Sequence, residues 1–231
     1  METTVNTELE AKFIEAYKAA IIGGEENVNA FTLAQKIGAT EQDFYQLFNS
    51  PEDLGRKIWA GIGEEVISRL NQSESFANYT SREKILTYFF TFFEVAATNR
   101  VFIETTASQL RLLRTYKEQF KTFISDIIQE GIVADEIKER LSLSNYYPDM
   151  LWDLHYRLLR FWLQDTSEHF TETDKAIEIF SKVPLEFMGH NILDSVYETV
   201  KFGFEQLRTD KFKLDNIEIK FPENFNIFNR K

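Results

Sequence analysis

Apolar positions recur at helical spacing along most of the chain. Between residues 7 and 22, Leu9, Phe13, Tyr17 and Ile21 fall every four positions with Ile14 beside them, a stripe that predicts an amphipathic helix stopped by Gly23-Gly24. The stretch NAFTLAQKIGATEQDFYQLFNSPEDL, residues 29–54, then divides into two short helices and the start of a third. Asn29 is placed to cap the first helix and Gly38 to end it in a left-handed conformation. Thr40, with Asp43 reaching back, caps the second helix; Ser50, Pro51, Glu52 and Asp53 open the third. Leu33, Ala34 and Ile37 make one inner face, and Phe44, Leu47 and Phe48 the other. Two short helices around a Gly-containing turn form a helix-turn-helix.

Farther along, Leu54, Ile58, Ile62, Val66 and Leu70 step by four and predict one long connecting helix over 51–70. Gly55, Gly61 and Gly63 weaken it, each by about 1 kcal/mol relative to Ala. A polar loop is expected over 71–79, then a helix capped by Thr80 or Ser81 that carries YFFTFFEVAA and is apolar on nearly every side. Further helices are expected over 102–114, over 115–130 with Gly131 as the stop, and over 150–163 after a break at 145–149 caused by Pro148. Residues 173–187 continue helical with a kink at Pro184, and Leu193, Val196, Val200, Phe204 and Leu207 form a near-heptad stripe over 192–207. The segment 209–231 lacks a helical period and is expected to pack as an extended arm.

The order of parts in the first 60 or so residues, above all GATEQDFYQLFNSPEDL with Tyr45 and Phe48 as its aromatic pair, resembles the TetR family of bacterial transcriptional repressors. The segments GIVADEI and FWLQDTSEHFTETDKAIEIF resemble C-terminal parts of such regulators. The resemblance implies an all-α, TetR-like fold: a three-helix head over 1–50, a helical ligand-binding and dimerisation bundle over 51–208, and the arm. It also implies that residues 41–49 form the helix entering the major groove of double-stranded DNA. Thr40, Gln42, Tyr45 and Gln46 would then face the bases, with Lys36, Arg56 and Lys57 at phosphates; a glutamine can pair bidentately with adenine.

Charge complicates that implication. Residues 1–55 carry ten acidic side chains against three basic ones, a net of −7, whereas affinity for DNA comes largely from cations that displace counterions. Pro51 stands where the family usually has a lysine, Leu47 where a histidine is common, and Glu41 and Asp43 load the leading end of the reading helix. The whole chain is also acidic, with net charge −11 and pI near 4.9, which argues against a general nucleic-acid or anionic-membrane surface.

Composition bounds the remaining chemistry. With 231 residues, 43% of them hydrophobic, the chain can bury a sizeable core. Having no cysteine, it forms neither disulfides nor thiolate metal sites, and with no signal-like start or spanning apolar run its expected location is the cytoplasm. The three histidines, His155, His169 and His190, are scattered; Glu186 with His190 is the nearest metal-like pair, so neither enzyme activity, a metal nor a cofactor is expected. Phe89, Phe90, Phe93, Leu110, Phe120 and Trp162 are the candidates for lining an apolar pocket that takes a small molecule or lipid. Surplus C-terminal helices suit pairing into a homodimer. Two functions fit: a ligand-responsive transcriptional regulator, or the same fold with DNA binding lost, acting as a lipid or hydrophobic-ligand binder.

Overall fold

The computed structural model describes residues 2–189. The stripe over 192–207, the arm over 209–231 and His190 lie outside the described residues. Among the described residues the regular structure is entirely helical: α1 (Glu2–Ile22), α2 (Ala30–Ile37), α3 (Glu41–Leu47), α4 (Pro51–Gln72), α5 (Ser81–Thr98), α6 (Arg100–Thr106), α7 (Arg114–Val133), α8 (Tyr147–Gln164) and α9 (Thr171–Met188). The described residues are all-α, as their periodicity predicts.

The head closes through its caps. Asn29 accepts from the Thr32 amide at 3.0 Å, and Gly38 adopts φ 69°, turning its N–H back to the Ala34 and Gln35 carbonyls. Thr40 and Asp43 exchange bonds as a capping box. Phe13 of α1 is fully buried between Phe44 and Phe48, meeting both rings edge to face at 5.3 and 6.1 Å, so burial of these rings holds α3 on α1. Helix α4 begins in this head, against α1, and continues between α5 and α7; α8 packs on α7 and α9.

Several expected boundaries move, each for a local reason. The helix expected over 102–114 is two pieces: α6 ends at Thr106, and tight turns such as Gln109 N–H to the Thr106 carbonyl (2.9 Å) and Leu112 N–H to the Gln109 carbonyl (2.8 Å) lead to α7. Those turns bury Leu112 and Leu113 and leave Leu110, expected on the inner face, 62% exposed. Gly131 does not end α7, which runs to Val133; it is glycine because a Cβ there would collide with the Ser81 hydroxyl and Ile137. Asp135, at φ 59°, takes the left-handed turn after the helix. Nor is Pro148 a break: it sits in the first turn of α8, where no amide partner is needed, directly after a 3-10 segment over Leu141–Tyr146. Thr80, not Ser81, caps α5, with Glu83 completing its box. Pro184 lies inside α9, which continues past it to Met188.

Candidate functional site

On the head, Gln42, Tyr45 and Gln46 stand exposed on one side of α3, Tyr45 at 58%. Thr40 is exposed, but its hydroxyl is engaged with Asp43, donating to Oδ2 at 2.7 Å and accepting from the amide at 3.2 Å. The hydroxyl bond to Oδ2, with the Thr40 amide donating to the same oxygen at 2.9 Å, holds the Asp43 carboxyl below the usual carboxylate range, so the negative charge at the leading end of α3 is built in. The cations are engaged as well. Lys36 pairs with Glu25, Lys57 with Glu10 at 2.7 Å, and Arg56 with Asp53 and, at 4.0 Å, Glu52. At the start of α4, where the dipole would favour a phosphate, the Asp53 carboxylate accepts from the Asn49 amide at 3.0 Å. Burial opposes the Asp53 charge, but Arg56 and Asn49 outweigh it and its pKa is lowered.

The other candidate residues fall in the bundle. Phe89 and Phe120 are fully buried and stack with centroids 6.5 Å apart; Phe93, nearly buried, meets Trp162 at 5.8 Å. Phe90 is half-buried, and Leu110 does not join the cluster. The residue that unites these rings is one the spacing rules passed over, His155 of α8. Rings of Tyr88, Phe89, Phe92, Phe93, Tyr116, Phe120 and Trp152 all lie within 6.4 Å of its own, centroid to centroid.

A short polar chain runs through this apolar centre. The Tyr116 hydroxyl is 2.6 Å from His155 Nε2, and the Tyr88 hydroxyl is 3.4 Å from that of Tyr116. Burial raises both phenol pKa values and pushes the imidazole down to about 3, so all three groups are neutral. With phenol the better donor and imidazole the better acceptor, Tyr116 donates to Nε2, which puts the ring proton on Nδ1. Nδ1 is buried and has no hydrogen-bond partner. The signal that would have found His155 is its place between Leu151 and Trp162, at core spacing on α8.

The same chain reaches α4. The Trp59 ring stacks on Tyr116 with centroids 5.8 Å apart, and Gly63 lies so near that an added Cβ would be 2.8 Å from the Tyr116 ring. At the other end of α8, Arg100 lies over Trp162, its guanidinium carbon 4.4 Å from the ring centre, and 4.8 Å from that of Phe170. His169 and Phe170 both hold positive φ, 53° and 58°, in the turn before α9. That turn is tied down by Asp165, which accepts from the Thr173 amide and hydroxyl at 2.9 and 2.6 Å.

Among the described residues no cluster of three or more His, Cys, Asp or Glu side chains could hold a metal ion, and no helix is long and apolar enough to cross a membrane.

Comparison with curated proteins finds no match. Among solved structures the fold is similar to a bacterial regulatory protein in the tetR family from Rhodococcus RHA1, with a TM-score of 0.50 at 14% identity, over 79% of this chain and 98% of that one. A family described as Tetracyclin repressor-like, C-terminal domain, matches residues 84–202, which run from the first turn of α5 past α9 and include Tyr88, Tyr116 and His155. With more than half the chain matched by that family and the helical head in place before it, the protein belongs to the TetR family of regulators.

Proposed function

We propose that this regulator is ligand-responsive: an apolar effector held in the bundle over 51–208 alters how the head over 1–50 engages DNA. The observation that carries the reading is the course of α4. Its capped start lies in the head, and its middle is packed through Trp59 and Gly63 on Tyr116, the ring bonded to His155. An effector that rearranges the aromatic centre has a direct mechanical route to the head, provided that it binds the two arrangements with different affinity. Gln42, Tyr45 and Gln46 supply base contacts in this reading, with Thr40 at the edge, and Lys36 and Lys57 reach phosphates by leaving Glu25 and Glu10. Phe89, Phe90, Phe93, Phe120 and Trp162 are the ring set that the effector meets. The working unit is a homodimer.

A second reading keeps the fold and the apolar ligand but not DNA, and one observation favours it. Each lysine and arginine from residue 6 to 57 is ion-paired, Lys12 with Glu8 at 2.8 Å and Lys18 with Glu15 at 3.8 Å completing the set. A gel mobility shift with the DNA upstream of the protein's own gene, at low and moderate salt, separates the two. Retardation at low salt supports the regulator; none at low salt leaves only the ligand binder.

A further inference from the structure

We propose that Arg100 and Trp162 form the head-group site for an amphiphilic monocarboxylate whose apolar tail lies along α8 toward His155. The proposal rests on the reading of the bundle as an effector site and names the class of effector. In a chain with 37 acidic residues against 26 basic, Arg100 pairs with no carboxylate among the described residues. Its Nη2 donates at 3.3 Å to the Trp162 and Leu163 carbonyls, which fixes the guanidinium over the indole. Nη1 of Arg100 and Nε1–H of Trp162 are then both buried donors without a partner. A carboxylate offers two oxygens to these two donors and a charge to the unpaired cation, and charge-assisted bonds of this kind are the strong ones.

The tail follows from the same side of α8. His155 and Trp162 are seven residues apart, about 10 Å along the axis, and the Phe93 ring lies between them, 6.4 Å from one and 5.8 Å from the other. Apolar packing alone holds Phe93, so the proposed tail can displace that ring without breaking a hydrogen bond. Arg100 is only partly buried, which puts this end of the proposed site nearer to solvent than the fully buried His155.

Calorimetric titration of the full chain with decanoate, 1-decanol and decyltrimethylammonium, each below its micelle concentration, tests the site. Decanoate is expected to bind most tightly, and Arg100→Gln to weaken it roughly tenfold or more while leaving decanol unchanged. If Arg100→Gln loses helical circular dichroism, Trp162→Phe, which keeps the stacking ring and drops the N–H, carries the same expectation. Equal binding of decanoate and decanol, or decanoate binding indifferent to both variants, overturns the proposal. Binding of decanol alone overturns it while sparing the effector reading, whereas binding of none of the three removes both. Decanoate binding as expected, with no effect on the mobility shift, upholds the site and ends the effector reading.

Discussion

At the scale of single residues, His155 sits where an aliphatic side chain would satisfy the helix pattern, and its neutrality is imposed by seven surrounding rings. Its folded pKa, pushed down to about 3, lies below the unfolded value near 6.5, so the unfolded chain binds more protons between those limits and stability falls as pH falls through that window. From pH 6.5 to 5 this one group is expected to cost about 2 kcal/mol. Urea unfolding at both pH values tests it: His155→Phe should show a shallower pH dependence than the parent, and an identical slope would contradict the assignment. Tyr116→Phe removes the only partner of Nε2 among the described residues and should destabilise by about 1–3 kcal/mol. Adding His155→Phe to that variant should recover part of the loss, because no buried imidazole is then left unpaired.

At the scale of elements, the glycines of α4 separate helix propensity from packing. A Cβ at Gly61 meets nothing within 4 Å, so Gly61→Ala should stabilise by about 0.5–1 kcal/mol. Two residues on, Gly63→Ala presses on the Tyr116 ring and on Gln119 Oε1, at 2.8 and 3.0 Å, and should destabilise by about 1–3 kcal/mol despite the same gain in propensity. Thermal melts of the two variants suffice, and shifts of the same sign would refute the close approach of α4 to α7. The same logic explains Gly131, where the alternative to glycine is a collision with Ser81 rather than a worse helix end.

Over the whole molecule, charge sets the terms of the contact with DNA proposed for the head. The pairs Glu10–Lys57 and Glu25–Lys36 hold two cations that phosphate contact would need. The double variant Glu10→Gln, Glu25→Gln frees both and should bind duplex DNA several-fold more tightly at low salt, with a log–log salt slope steeper by roughly 1 to 2. Fluorescence anisotropy across a salt series measures both, and an unchanged slope would mean that Lys36 and Lys57 do not reach phosphates.

How much of this was legible beforehand depends on the range of the forces involved. Caps at Asn29, Thr40 and Ser50, the left-handed Gly38 and the four-residue stripes act within a turn or two of the chain, so the sequence by itself determined the helical class, the three-helix head and the long connecting helix. A helix's own period says which residues turn inward but not what they meet. Leu110 left the core because the turns after Thr106 chose Leu112 and Leu113 instead, and Pro148 became a helix start because the preceding segment was already turning. The assembly of Tyr88, Tyr116 and His155 across α5, α7 and α8, the pairing of each head cation with a particular acid, and Arg100 over Trp162 were decided only by tertiary structure. Each of these joins groups distant in the chain, through contacts whose strength depends on burial, and burial is a property of the packed molecule rather than of any segment.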